Sequence, residues 1–129
     1  MKIAHVALWT RNLEAQVAFW QVVFGGQSNE RYLSKNRPGF ASHFISLREG
    51  PTIELMALPE LDDAPANPEF VGWANIAITV GDVGEVDAMA QKAQAEGRLL
   101  SPARWTGDGF YEAVIADPDG NRIELVAAE

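Results

Sequence analysis

Two glutamates lie at the centres of apolar runs, an unusual place for a charged side chain. Glu54 is the middle residue of TIELM and Glu124 the middle residue of RIELV, so 124 − 54 = 70 positions separate them. A carboxylate is seldom buried unless it is paired or bound. Either both are buried acids whose pKa values are raised by burial and mutual repulsion, or they bind a divalent cation that neutralises that repulsion. We favour the cation.

The same shift of seventy positions relates longer stretches of the chain. It aligns residues 39–56 with 109–126 without gaps, and 7 of these 18 positions are identical, including the IEL core. It also aligns residues 3–13 with 73–83, where the apolar alternation matches and His5 falls on Asn75. The sequence therefore predicts one module repeated twice.

Each module has the pattern of a strand, a helix and three further strands. Asn12 and Asp82 are good helix N-caps, and glycines at 25–26 and at 97 predict where the two helices end. We expect apolar helix stripes at Leu13, Val17, Trp20 and Phe24 and at Val83, Val86, Ala90 and Ala93. Strands are predicted near 3–9, 28–33, 40–48 and 52–57, and near 74–80, 99–105, 110–116 and 122–127.

These elements predict a single α+β domain of two βαβββ modules, residues 1–57 and 71–129, joined by an acidic, proline-bearing linker at 58–70. Side chains alternate faces along a strand, so the aliphatic faces should pack on the helices. The opposite faces carry His5, Glu54, Asn75 and Glu124. If the two sheets curve around one cleft, these four polar groups converge inside it.

Other residues near this face have alternative roles. Trp9 and Trp73 share faces with the polar group and are candidates for the wall of a substrate pocket. His43 lies in a predicted central strand, where it either borders the pocket or packs within the core. His5 itself is either a hydrogen-bonded structural residue or a ligand, and its shared face with two glutamates favours a ligand.

Composition excludes several classes of function. The net charge is −8 with no basic stripe, which argues against nucleic acid as a partner. Cys is absent, which excludes disulfides, thiolate metal sites and a cysteine nucleophile. No apolar run approaches the roughly 18 residues of a membrane span, and the N-terminus is not typical of a signal peptide. We expect a cytoplasmic protein that binds a small molecule.

The paired modules resemble the vicinal oxygen chelate superfamily, which includes glyoxalase I, bleomycin- and fosfomycin-resistance proteins and extradiol dioxygenases. The resemblance covers nearly the whole chain, and its most specific parts are IAHVALWTRNLEAQVAFW, TGDGFYEAVIADPDGNRIEL and the seventy-residue repeat. It implies the glyoxalase/bleomycin resistance/dioxygenase fold, with curved mixed sheets around a cleft. It also implies a homodimer, with each site completed within one chain or across two.

The resemblance further implies a metal site. Glyoxalase-like members use His, Glu, His and Glu in chain order, which correspond here to His5, Glu54, Asn75 and Glu124. Asn75 departs from the pattern; it is a neutral oxygen ligand, a substrate hydrogen-bonder or the remnant of a lost site. The set suits Zn, Ni, Co, Fe or Mn without selecting among them.

Three functions are compatible with such a site. The first is a metal-dependent lyase or isomerase of the lactoylglutathione lyase type, acting on an alpha-oxo or hemithioacetal substrate. In it a Lewis-acidic metal stabilises an enediolate-like charge and Glu124 is the catalytic base. The second is a non-catalytic drug-sequestering protein of the bleomycin-resistance type. The third is an extradiol-type dioxygenase, disfavoured because one histidine is missing. Arg11, Lys35, Arg37 and Arg104 are available as anchors for an anionic substrate.

Overall fold

The chain forms two compact units, Met1–Ala64 and Pro65–Glu129. The computed structural model describes all 129 residues. Each unit contains one helix and one mixed sheet, so the predicted α+β class is confirmed. The boundary between the units lies within the segment 58–70, which contains neither helix nor strand.

The elements follow the predicted order in both units. In unit 1 they are β1 (His5–Trp9), α1 (Leu13–Phe24), β2 (Gln27–Ser28), β3 (Tyr32–Leu33), β4 (Ala41–Ser46) and β5 (Thr52–Ala57). In unit 2 they are β6 (Ile76–Gly81), α2 (Val83–Ala95), β7 (Leu99–Trp105), β8 (Tyr111–Ala116) and β9 (Arg122–Ala127). Neither helix is long and apolar enough to cross a membrane.

Both helices begin at the predicted caps. The Asn12 Oδ1 atom accepts a hydrogen bond of 3.0 Å from the Ala15 N–H, and the Asp82 Oδ1 atom accepts one of 2.9 Å from the Glu85 N–H. These bonds satisfy backbone donors that the first helical turn leaves free. Helix α1 ends at Gly25, whose φ of +65° is a left-handed conformation that glycine adopts without a steric penalty.

The buried face of α1 differs from the predicted stripe. Val17 and Phe24 are only partly buried, whereas Gln16 is fully buried. Gln16 can be buried because its Oε1 atom accepts a hydrogen bond of 3.2 Å from the indole N–H of Trp20. In α2 the prediction is confirmed for Val86, Ala90 and Ala93, while Val83 is exposed.

The two sheets have the same topology. Their strand orders are β1-β5-β4-β2, with β3 also paired to β4, and β6-β9-β8-β7. The first and last strands of each unit pair in parallel, and the remaining pairs are antiparallel. The core consists of the aliphatic sheet faces and the helices, and its largest fully buried strand residues are Ile45, Ile53, Leu55, Ile115, Ile123 and Leu125.

The prediction of a single strand at 28–33 is wrong, because this segment forms two short strands, β2 and β3. Ser28 pairs with Ile45 and Tyr32 with Ser42, so three residues of one strand face two of the other. The extra residue is accommodated by Asn29, whose Oδ1 atom accepts a hydrogen bond of 2.8 Å from the Phe44 N–H. A side chain thus replaces part of the backbone ladder, as in a β-bulge.

The turn between β8 and β9 fixes the register of the strand that carries Glu124. Asp117 is buried, and its Oδ1 atom accepts hydrogen bonds from the N–H groups of Asp119 and Asn121 at 2.9 and 2.8 Å. Gly120 has a φ of +86°, as the DPDGN pattern predicts for a tight turn. The hairpin register determines which side chains lie beside Glu124.

Candidate functional site

In unit 1, His5 and Glu54 lie together on the sheet face opposite α1. Ala7 pairs with Glu54 across the parallel strands β1 and β5, so His5 is a diagonal neighbour of Glu54. The His5 Nε2 and Glu54 Oε1 atoms are 3.5 Å apart. The imidazole also contacts the edge of the Phe44 ring, with centroids 5.7 Å apart. The prediction that these two polar groups share a face is therefore confirmed.

The exposure of the pair leaves room for a third group. The His5 side chain is 46% exposed and that of Glu54 is 17% exposed, so the carboxylate is mostly sheltered and the imidazole is open. An imidazole nitrogen and a carboxylate oxygen are ligands that borderline divalent metals accept. The pair fits two positions of such a site. Neither unit by itself assembles three His, Asp or Glu side chains into a metal-binding group.

In unit 2, Glu124 occupies the position equivalent to Glu54. It pairs with Ala77 on β6 and with Val114 on β8, and it faces away from α2. Burial raises the pKa of the Glu124 carboxyl above its ordinary value, and the nearby Glu112 carboxylate raises it further, against the opposing effect of Arg104 and Arg122. A carboxylate with a raised pKa is a better proton acceptor at neutral pH, which suits a general base.

Glu112 and Arg104 are the neighbours of Glu124 on this face. Glu112 pairs with Val126, two residues beyond Glu124, and its side chain is 15% exposed. Arg104 lies opposite Glu112, with its Nη1 atom 3.7 Å from the Glu112 Oε1 atom. The sequence analysis missed Glu112. The DPDGN turn could have indicated its position, because a hairpin closed at 117–121 places residue 112 opposite residue 126, on the same face as Glu124.

Asn75 lies outside the strand predicted at 74–80 to contain it, and Trp73 precedes that strand. Strand β6 begins at Ile76, so both residues belong to the irregular segment before it. Asn75 is exposed, and Trp73 is 94% exposed. Because strand alternation does not apply to an irregular segment, the structure leaves the predicted roles of these two residues as predictions.

His43 lies on the opposite face of the sheet from Glu54. It pairs with Leu55, a fully buried core residue, and its Nδ1 atom is 3.1 Å from both the Ser28 hydroxyl and the Asn29 carbonyl oxygen. Of the two roles considered for His43, these contacts favour packing on the core face of the sheet. The His5–Glu54 face therefore does not include it.

Trp9 is on the same face as His5, four residues further along β1. Its side chain is 43% exposed, its ring contacts Phe40 with centroids 6.1 Å apart, and the Arg37 guanidinium carbon lies 5.7 Å from its ring centroid. The face that carries the polar pair thus also carries an accessible aromatic surface, which is consistent with the predicted pocket role of Trp9.

Residues 2–125 match the family model of the Glyoxalase/Bleomycin resistance protein/Dioxygenase superfamily. The chain belongs to this superfamily. A search of curated protein sequences gives no significant match.

Solved structures of this superfamily have the same fold. A glyoxylase/bleomycin resistance protein/dioxygenase domain from Frankia sp. EAN1pec is similar, with a TM-score of 0.83 and 14% identity over 100% of this chain and 93% of that one. Glyoxalase I from Zea mays has a TM-score of 0.77 and 19% identity over 98% of this chain. The superfamily domain described here spans 44% of the maize chain.

A resistance protein is also among the similar structures. The genomically encoded fosfomycin resistance protein from Listeria monocytogenes has a TM-score of 0.73 and 22% identity, covering 98% of this chain and 93% of that one. At such identities the likeness shows the fold alone. Function must therefore be inferred from the residues of the candidate site.

Proposed function

We propose that this superfamily member is a metal-dependent lyase or isomerase acting on a small substrate with two adjacent oxygens. The observation that carries the proposal is the His5–Glu54 pair, with nitrogen and oxygen 3.5 Å apart on an open sheet face. Neither group is part of the core, because the buried residues of β5, Ile53 and Leu55, lie on the opposite face of the sheet. His5 and Glu54 would supply two of the metal ligands, and the family resemblance implies Glu124 and Asn75 as the others, from the same chain or from a partner copy.

The metal would supply Lewis-acid polarisation of a substrate carbonyl. Zn, Ni, Co, Fe and Mn are all compatible with one imidazole, two carboxylates and an amide oxygen. Glu54 acts mainly as a ligand, because its shelter beside Phe44 and its contact with His5 fix its position.

Glu124 acts as the base that removes the proton alpha to the carbonyl. Its raised pKa favours proton uptake, and its neighbour Glu112 contributes to that shift. Arg104, which lies beside Glu112, keeps this cluster from accumulating two uncompensated negative charges. The product is an isomer when the proton returns to a different atom, and an elimination product when a leaving group on the beta carbon departs with the bonding electron pair. A cytoplasmic homodimer remains the expected form of the protein.

The test begins with metal binding. Divalent ions are titrated into chelator-stripped wild type, His5→Ala and Glu54→Gln, with Glu49→Gln as a control in the exposed β4–β5 turn. We expect wild type and the control to bind one ion per site, and both site variants to bind at least tenfold more weakly. Turnover of the methylglyoxal–glutathione adduct then tests the reaction. Wild type that binds no divalent ion would refute the proposal.

A second candidate function is ligand sequestration without chemistry. Two observations favour it: Asn75 is exposed rather than held at a ligand position, and neither unit gathers three ligating side chains. A sequestering protein would bind an organic ligand equally well with and without a chelator, and it would return the ligand unchanged.

A further inference from the structure

Three aromatic side chains form a row on the same sheet face as His5 and Glu54. Trp9 contacts Phe40 at 6.1 Å between ring centroids, and Phe40 contacts Tyr32 at 6.4 Å, both edge-to-face. We call Trp9, Phe40 and Tyr32 the aromatic row. Trp9 is 43% exposed and Tyr32 is 53% exposed. Large aromatic surfaces left open beside polar groups are typical of ligand sites.

Arg37 is held above one end of the aromatic row. Its guanidinium carbon is 5.7 Å from the Trp9 ring centroid, within the range of a cation–π contact. The loop that carries Arg37 is closed by a hydrogen bond of 3.0 Å from the Ser34 N–H to the Phe40 carbonyl oxygen. The loop also packs tightly at Gly39, where an added Cβ would lie 2.3 Å from the Pro59 side chain.

Arg37 is also free of any carboxylate partner. Of the other cations considered as substrate anchors, Arg11 pairs with Asp63 at 2.7 Å and Arg104 lies 3.7 Å from Glu112. Arg37 forms no such ion pair, so its N–H groups are available to an external anion. Guanidinium binds carboxylates in a two-pronged geometry that an ammonium group cannot match.

Unit 2 keeps only one of the three rings at the equivalent positions, Phe110 in place of Phe40. Thr79 pairs with Val126 as Trp9 pairs with Met56, and Arg104 pairs with Glu112 as Tyr32 pairs with Ser42. The loop equivalent to 34–40 is the shorter segment 106–110, which contains no arginine. The fold therefore does not require the aromatic row or its arginine.

We propose that the aromatic row and Arg37 form a subsite for a planar aromatic carboxylate. The ring of the ligand stacks on Trp9 and lies edge-to-face with Phe40, whose ring is almost perpendicular to that of Trp9, and its carboxylate binds the Arg37 guanidinium. This inference rests on the proposed function in one respect: it places the reacting oxygens at His5 and Glu54, at the other end of β1. Trp9 is four residue steps along the extended strand from His5, which corresponds to about 13 Å. The substrate class is therefore an elongated aromatic acid whose vicinal oxygens lie far from its carboxylate.

The test uses 2-naphthoate, a planar aromatic carboxylate without vicinal oxygens. It is titrated into chelator-treated protein, and the indole N–H signals are followed by NMR. We expect a Kd on the order of 1 mM or tighter, with the largest shift at Trp9. Arg37→Gln should weaken binding roughly tenfold, and methyl 2-naphthoate should bind wild type as weakly as the acid binds the variant. Arg48→Gln, in the exposed β4–β5 turn, should change Kd by less than about twofold.

Several results would overturn the subsite. These are no binding by wild type, equal binding of the acid and its ester, an unchanged Kd in Arg37→Gln, or shifts confined to other tryptophans. If Arg37→Gln fails to fold, Arg37→Lys keeps the charge but loses the planar stack, and we expect intermediate affinity. Because this assay contains no metal, a protein that binds naphthoate but no metal would refute the proposed function and leave the subsite standing. The reverse result would refute only the subsite.

Discussion

The open faces of the two sheets carry different chemistry on the same scaffold. Glu54 and Glu124 are equivalent, but the positions around them differ. Unit 1 has an imidazole and aromatic rings, whereas unit 2 has a second carboxylate with its arginine. The positions that differ are Trp9, Tyr32 and Ser42 in unit 1 and Thr79, Arg104 and Glu112 in unit 2, while Asn75, the counterpart of His5, lies just before β6.

The closed faces, by contrast, are nearly the same. Ile53 and Leu55 match Ile123 and Leu125 in identity, register and burial. Packing against a helix restricts these positions to apolar side chains of similar volume, since interiors are close-packed. The open face has no such restriction. The repeat therefore preserves the residues that fold the chain, while the two halves have diverged in the groups that bind a ligand or transfer a proton.

The strongest test of the comparison is Glu124→Gln, because only unit 2 has the proposed base. We expect the proton-transfer rate on the methylglyoxal–glutathione adduct to fall at least 100-fold. Metal affinity should fall as well, so rates are compared at saturating metal. Glu49→Gln should retain the wild-type rate. A variant Glu124→Gln that keeps more than a third of the activity would remove Glu124 from the role of base.

The similarity of the closed faces predicts similar costs of core truncation. Leu55→Ala and Leu125→Ala each remove a fully buried side chain, and each should lower the free energy of unfolding by about 2–5 kcal/mol. Urea denaturation followed by circular dichroism measures both. Val22→Ala, which shortens a residue that is 69% exposed, should cost less than about 0.5 kcal/mol. A cost below about 1 kcal/mol at either leucine would show that the cores are not equivalent.

The substitution Asn75→His places an imidazole in unit 2 at the position equivalent to His5. An imidazole is a stronger ligand than an amide oxygen for zinc or nickel, so the variant should bind roughly tenfold more tightly, about 1.4 kcal/mol. Calorimetric titration into chelator-stripped protein measures the change. Asn67→His, in the exposed linker, controls for an added imidazole. If Asn75→His changes nothing and wild type binds no ion, the glutamates do not form a metal site.

The smallest predicted effect concerns the stability of the metal-free protein. The pKa of Glu124 is raised in the folded state, chiefly by burial, so folding favours its protonated form. Its favourable contribution is complete below the ordinary glutamate pKa of about 4.3 and is lost as pH rises through the folded value.

Glu124→Gln cannot ionise, so it should be more stable than wild type at pH 7, on the order of 0.5 kcal/mol. The difference in the free energy of unfolding between the variant and wild type should shrink toward pH 4. Urea titrations at pH 7 and pH 4 measure it. Glu49→Gln should show no such trend. If the stability advantage of Glu124→Gln over wild type grew as the pH was lowered, the predicted direction of the pH dependence would be wrong.

Much of the fold was predictable because local chemistry determines it. Asn12, Asp82 and Gly25 set helix ends through backbone hydrogen bonds and a left-handed turn. The bounds predicted at 52–57 and 122–127 are those observed, since alternation is clear in both strands.

Other features depend on tertiary contacts that alternation does not reveal. The burial of Gln16 needs the Trp20 indole, and the break at 29–31 needs the Asn29 side chain across from Phe44. The placement of His43 and Glu112 could have been predicted, because each hairpin turn fixes which residues face each other. The exposure of Asn75 was not predictable, because only the structure places the start of β6 after it.

The parallel pairing of β1 with β5 also sets an order of events in folding. His5 pairs with Thr52, 52 − 5 = 47 residues later, whereas β4 and β5 form a hairpin across a short turn. Closing the longer loop costs more chain entropy, so the hairpin should form first and β1 should dock onto a preformed edge. Substitutions in β1 would then accelerate unfolding while leaving the refolding rate nearly unchanged. The strand that carries His5 would be the last part of its unit to fold and the first to detach from the sheet during unfolding.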